Sequence, residues 1–323
     1  MFRTLMAAAC LAALPLGAAA QPAFPAKTVR LVVPYPAGGA TDFVARLVGE
    51  RLSRSLGQAV VVDNKPGAAG ALGASDVARS PADGYTVLLT ITDTQINNAA
   101  LFKTLPYDPQ KDFAFVTQIA RSPALISANT DLPAKSIDDL RKLAARQPAS
   151  LSYASWGIGG LGHLAGESLN RELKAGMVHV PQKGEGPVVT DLLSKTVSIG
   201  LSSVASAKQH VQAGKLTPLA VLGRDRSTAL PQVPTLRELG FTDPLYDTNV
   251  WLGVLVPART PPAVVQRLAS EIRAIVGAPD VTQLLVERGF EVMNTTPEQF
   301  AGSYKTEYEV ITQRIRAFGI EAQ

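Results

Sequence analysis

The chain has 323 residues, of which 46% are apolar and 18% charged. Those proportions exclude a disordered chain and are enough for two packed units. Its formal charge of +4 comes from 31 basic and 27 acidic residues interspersed along the chain; with no basic stripe, nucleic acid is excluded as a partner, while a mild positive balance suits a small anion.

The first twenty residues read as a secretory signal: Arg3, an apolar core "LMAAACLAALPL", and "AAA" before Gln21. Pro15 and Gly17 shorten the run below the roughly 20 apolar residues that a membrane anchor needs. Cleavage after Ala20 predicts a periplasmic protein. Cys10 leaves with the signal, so the mature chain has no cysteine for a disulfide or a thiolate metal site.

"TVRLVVP" (28–34) reads as a buried strand, followed by Val44, Leu47, Val48, Leu52 and Leu56 at helical spacing. "AVVVDN" is a second strand, "GAAGALGASDVAR" a small-residue helix, and "YTVLLT" a third strand after the turn "PADG". This alternation predicts an α/β fold with a parallel sheet and right-handed crossovers. The same order recurs later: "LSYAS" strand, "WGIGGLG" loop, "HLAGESLNREL" helix, "MVHVP" strand, "GPVVTDLL" helix, "VSIGL" strand. Two similar units follow. The tail adds the strand "VWLGVLVP", a helix capped by Thr260, and a last helix opened by a capping box of Thr296 and Gln299. It should pack on one unit, with extended crossings near "FAFVTQI" and "LGFTDPLYD".

"PYPAGGATD" (34–42) joins the first strand to its helix. A helix starting near Thr41 leaves its first N–H groups without intrahelical partners and carries partial positive charge there. Without side chains at Gly38 and Gly39, a carboxylate can approach those amides closely. Asp42 has two readings, a first-turn acid favoured by the helix dipole or a ligand contact. The loop "SWGIGGLGHL" repeats the arrangement: Gly157, Gly159 and Gly160 can turn successive N–H groups inward as an anion nest, and Trp156 adds an apolar wall. Both loops follow the C-terminal ends of strands, the edge where open α/β sheets bind ligands. Thr92 and Asp93, after the third strand, and Ser203, after "VSIGL", occupy the same edge, with Tyr35 and Ala37 beside the first loop.

Other chemistry fits less well. "YASWG" places Ser155 in a near-miss to G-x-S-x-G, with Tyr153 where the elbow needs glycine. "GIGGLG" satisfies G-x-G-x-x-G, but "MVHVP" supplies no acid at the expected position some 20 residues on. His163, His179 and His210 lack metal-ligand spacing. Neither a metal nor a cofactor is expected.

"YPAGGATD", "VVDNKPGAAGALGASDVARSPADGYTVLL", "GHLAGE", "LAVLGRDRSTALPQVPTLRELG" and "WLGVLVPARTP" resemble the substrate-binding proteins of tripartite tricarboxylate transporters, the Bug family. The resemblance covers essentially the whole mature chain. It implies a two-domain periplasmic binding protein of type II, closing like a flytrap, with no enzymatic activity. The domain boundaries expected are 21–120 plus 245–323 for domain 1 and 121–244 for domain 2. It implies a small organic acid ligand (aromatic, amino or dicarboxylic), one carboxylate held by backbone groups of Ala37 to Asp42 and Gly157 to Leu161 with ordered waters helping; Tyr35, Thr92, Asp93, Trp156, His163 and Ser203 complete the candidate set read from the residues themselves. The partners implied are membrane permease subunits, and the protein is expected to be a monomer. The family pattern has an aromatic where Gln182 stands and glycine where Glu185 stands. An acid at 185 beside the cleft would repel a second carboxylate unless a cation paired with it. Two alternatives stay open: an exported hydrolase using Ser155 and His163, and a receptor for a membrane sensor protein.

Overall fold

A computed structural model describes residues 24–147 and 149–320; the signal segment and Cys10 lie outside them. Two sheets carry the fold. The first contains β1 (Val29–Val33), β2 (Val60–Asn64), β3 (Thr86–Ile91), β4 (Phe113–Ser122), β10 (Val250–Pro257) and β11 (Glu291–Val292), in the order β11-β4-β10-β3-β1-β2. The second contains β5 (Ala124–Asn129), β6 (Ser152–Ser155), β7 (Val178–Pro181), β8 (Ile199–Ser203) and β9 (Leu216–Val221), ordered β7-β6-β8-β5-β9.

The helices flank these sheets. The apolar stripe of α1 (Ala40–Leu56), with Val44, Val48 and Leu52, shares one core with α8 (Pro262–Val276) and α9 (Pro279–Glu287) on one face of the first sheet. α2 (Ala71–Ala78), α3 (Asn98–Leu101) and α10 (Pro297–Ala317) contribute to a second core, which continues onto the second sheet beneath α4 (Ile137–Arg146) and α5 (Leu161–Leu173). A third core lies under α6 (Glu185–Leu193) and α7 (Val204–Gln212).

Three expectations change. The sheets are mixed, because β10 runs antiparallel to β3 and β4, and β5 antiparallel to β8 and β9. These strands enter from the other lobe without a crossover helix, so nothing holds them to the parallel direction. Only Pro123 separates β4 from β5. The tail packs on both lobes: Phe300 and Tyr304 of α10 lie against Phe115 of the first sheet, whereas Arg314 Nε donates to Asp243 Oδ1 at 2.9 Å near the second. At about 1.5 Å per residue, a helix of 21 residues can bridge them. Finally, Thr260 does not cap α8. Its hydroxyl donates to the Pro257 carbonyl at 2.7 Å, and Pro261 takes the cap position without a side-chain bond. The Thr296–Gln299 capping box forms as expected.

Candidate functional site

The first loop ends on Gly39, which precedes α1 with no side-chain cap, and Gly38 turns through a φ of 85° that favours glycine. Asp42 faces inward. It is 3% exposed and accepts hydrogen bonds from the Gly38 amide (2.9 Å), Arg46 Nε (2.9 Å) and Asn64 Nδ2 (3.1 Å). Burial works against its ionisation, but the bonds from Arg46, Gly38 and Asn64 outweigh it and hold its pKa below the usual carboxylate range. Asp42 thus braces the loop from beneath, and Thr41 is buried beside it.

The strand-end residues of β3 divide between two tasks. Thr92 is buried and its hydroxyl takes a bond from the Trp251 amide at 3.0 Å and gives one to the Asn249 carbonyl at 3.3 Å, pinning the chain to β10. Asp93 starts a π-helical turn, Asp93–Asn97, and reaches across to the second lobe. Trp156 Nε1 donates to Asp93 Oδ2 at 2.9 Å. Asn97 adds a second crossing, donating from Nδ2 to the Gly159 carbonyl at 2.7 Å. Burial pushes the Asp93 pKa up to about 6; the bond from Trp156 and the nearby Leu161 amide oppose this, and the charge of Glu185 adds to it.

The indole expected as an apolar wall of the second loop therefore holds the chain's own carboxylate. Gly159 has a φ of 72°, and a Cβ there would come within 2.3 Å of Leu101 in the first lobe. A Cβ on Gly160 would stand 3.0 Å from both Asp93 Oδ2 and Trp156 Nε1. The glycines permit lobe-to-lobe contact as well as ligand approach. His163 supports the loop from α5, its Nδ1 accepting the Gly159 amide at 2.9 Å.

Ser155 does not pair with His163. Its hydroxyl bonds His179 Nε2 at 2.8 Å, and His179 stacks on His163 with ring centroids 3.8 Å apart. Burial, then the neighbouring His163, lowers the His179 pKa to about 4; burial also lowers that of His163. Ser155 itself is fully buried. Spacing suggested His163 because it follows the glycine loop, but β7 lies beside β6 with Tyr153 opposite His179, which brings that ring over the serine.

Glu185 finds a helix start in place of a cation. Its carboxylate accepts from the Ser203 amide at 3.1 Å and the Ser203 hydroxyl at 2.6 Å, and also from the Ser206 hydroxyl. Ser203 thus serves as the cap of α7. Gln182 donates to Asp191 at 2.5 Å.

A cavity of about 350 Å³ lies between the lobes, within the usual range for small-molecule sites. Tyr35, Asp93, Trp156, Gly157 and Gly160 line it; Ala37, Gly38, Gly39, Thr41, Asp42, Thr92, Gly159, Leu161, His163 and Ser203 do not. Ile158, inside the expected second loop, lines it too, and sequence reasoning missed Ala68, Ala69, Asn97, Asn98, Leu101 and Phe102. Ala68 and Ala69 sit at φ 46° and 50° between Gly67 and Gly70, where a continuous helix was expected. The flanking glycines were the available signal. Asn98 Nδ2 holds this turn by donating to the Ala69 carbonyl at 3.0 Å. The Tyr35 hydroxyl is bonded to that of Thr94 at 2.5 Å. Two larger concavities, of about 440 and 550 Å³, share Arg121 and Met293 but touch neither glycine loop.

The family model of the tripartite tricarboxylate transporter family receptor matches residues 44–318. Among solved structures, Rpa4515 of R. palustris with adipate is 34% identical, with a TM-score of 0.84 over 93% of this chain and 100% of that one. The periplasmic binding protein BugD is 31% identical, with a TM-score of 0.81 over 93% and 100%. MatC of Rhodopseudomonas palustris with bound malate is 30% identical, with a TM-score of 0.79 over 90% and 100%. The family match and these shared folds agree, and the chain belongs to the tripartite tricarboxylate transporter receptor family of periplasmic solute-binding proteins.

Proposed function

We propose that this protein is a periplasmic receptor that captures a small organic carboxylate between its lobes and presents it to the membrane permease of a tripartite transporter. The observation that carries the reading is the inter-lobe cavity, walled by Tyr35 and Asp93 on one side and by Trp156, Gly157 and Gly160 on the other. The adipate and malate held by two relatives support the ligand class. The backbone of the two glycine loops, Ala37 to Asp42 and Gly157 to Leu161, is the candidate for holding the ligand carboxylate, and Gly157 and Gly160 of the second loop line the cavity. The domains divide as 21–120 plus 245–323 and 121–244, and the mature protein, cleaved after Ala20, acts as a monomer. Capture is an open–closed equilibrium about the two crossings, which the ligand shifts by the contacts it makes only when the lobes are shut.

The hydrolase alternative loses support from the enclosure of Ser155 and its pairing with His179. Isothermal titration of a panel of small carboxylates tests the receptor reading. At least one acid should bind the wild-type protein, and Gly39→Phe should lose it while keeping its circular dichroism spectrum. Undiminished affinity in Gly39→Phe would remove the first loop from the site.

A further inference from the structure

The concavity of about 550 Å³ shares no lining residue with the cavity between the glycine loops. It sits where the chain crosses from one sheet to the other. Arg121, at the end of β4, lines it together with Arg224, which follows β9 of the second sheet, and with Glu307 of α10.

The two arginines have donors to spare. Arg121 Nε donates to Glu291 Oε2 at 2.8 Å, but among the described residues its two Nη groups meet no acceptor, and its side chain is 35% exposed. Arg224 is 78% exposed, and its ion-pair contact is Nε at 3.4 Å from Asp247, a carboxylate that Arg237 Nη1 already holds at 2.7 Å. A guanidinium with free Nη groups is a planar fork that matches two oxygens of a carboxylate or phosphate. Two such forks, from different sheets, line one space.

The acids around them leave that space open to an anion. Glu291 of β11 is paired with Arg121, and Asp247 with Arg224 and Arg237. Asp225 is exposed, where water and salt screen it. Glu307 accepts from Trp251 Nε1 through Oε2. Burial pushes its pKa up to about 7, against the Trp251 bond and the charge of Arg121, so on the acid side of neutrality it is an uncharged carboxyl with an O–H to donate. Met293 and Val310 add apolar surface.

We propose that Arg121 and Arg224 form a second ligand site, for a small organic oxyanion, carboxylate or phosphate, whose apolar body lies on Met293 and Val310. The site is independent of the carboxylate cavity, and an anion held by both arginines links the two sheets at the crossing.

Sulfate and benzenesulfonate test it, because their charge stays fixed between pH 6 and pH 8 and only the protein titrates. In calorimetric titrations at ionic strength matched with sodium chloride, benzenesulfonate should bind saturably, more tightly than sulfate, and more tightly at pH 6 than at pH 8. Arg224→Gln should weaken it by about tenfold or more, and so should Arg121→Lys, which keeps the charge and the Glu291 pair but loses the fork. Glu307→Gln should bind at pH 8 as the wild type does at pH 6. Gly39→Phe should leave all of this unchanged, and in that background benzoate against phenyl phosphate tells which head group the site prefers, either preference supporting it. Circular dichroism checks that each variant folds. Heat that never saturates, which is a general salt effect, would overturn the proposal. So would full affinity in Arg224→Gln, binding that is equal or tighter at pH 8, or loss in Gly39→Phe, which would place the anion at the glycine loops. The receptor reading stands in each case.

Discussion

Trp156 Nε1 of the second lobe donates to Asp93 Oδ2 of the first at 2.9 Å, so the two walls of the cavity hold each other directly. A hydrogen bond to a charged group contributes about 1.5–3 kcal/mol. Trp156→Phe keeps a ring and deletes the donor, and should shift the ligand-free equilibrium towards the open form by about tenfold or more. Small-angle scattering would register a larger radius of gyration; a profile identical to the wild type would show that the contact does not control closure.

Glycines in this fold do two different jobs, which substitution separates. A Cβ on Gly166 of α5 would meet the Tyr153 ring at 2.4 Å, whereas one on Gly39 meets only the Pro36 carbonyl at 3.7 Å. Gly166→Ala should destabilise by about 1–2 kcal/mol, because overpacking of about 1–3 kcal/mol exceeds the helix-propensity gain of under about 1. Gly39→Ala should stay within about 1 kcal/mol of the wild type, the range for an exchange at a helix cap. Urea titration measures both, and equal stabilities would contradict the crowding at Tyr153.

Glu307, on α10, gives a pH dependence with a definite sign. Burial raises its pKa from 4.5 to about 7, against the opposing effects of the Trp251 Nε1 bond at 2.7 Å and the charge of Arg121. The folded protein thus keeps a proton that the unfolded chain has released, and stability falls as pH rises from about 4.5 to about 7. Glu307→Gln should be more stable than the wild type by roughly 2 kcal/mol at pH 8, and the difference should vanish near pH 4. His179 titrates with the opposite slope in both proteins, so it cancels in the comparison. A difference independent of pH would refute the burial argument.

The Ser155–His179 pair looks like part of a hydrolase, yet the hydroxyl is fully buried. Ser155→Ala should leave hydrolysis of p-nitrophenyl acetate unchanged from the buffer rate, while lowering stability by about 1 kcal/mol through the lost bond. Wild-type turnover that disappears in the variant would restore the enzymatic reading.

Much of the architecture was legible along the chain because its determinants are local. The apolar run of β1, the spacing of Val44, Val48 and Leu52, and the Thr296 capping box each depend on neighbours within a few residues, and each forms as expected. The two glycine loops were visible for the same reason. Strand direction was not, since β5 and β10 take theirs from crossing between lobes. The partner of Ser155 depended on the pairing of β6 with β7. Above all, the bond from Trp156 to Asp93 joins residues more than sixty positions apart. Sequence by itself determined where glycine loops would open at strand ends; only the packing of one lobe against the other decided which side chains would meet across the gap, because electrostatic and hydrogen-bond partners are chosen by distance in space.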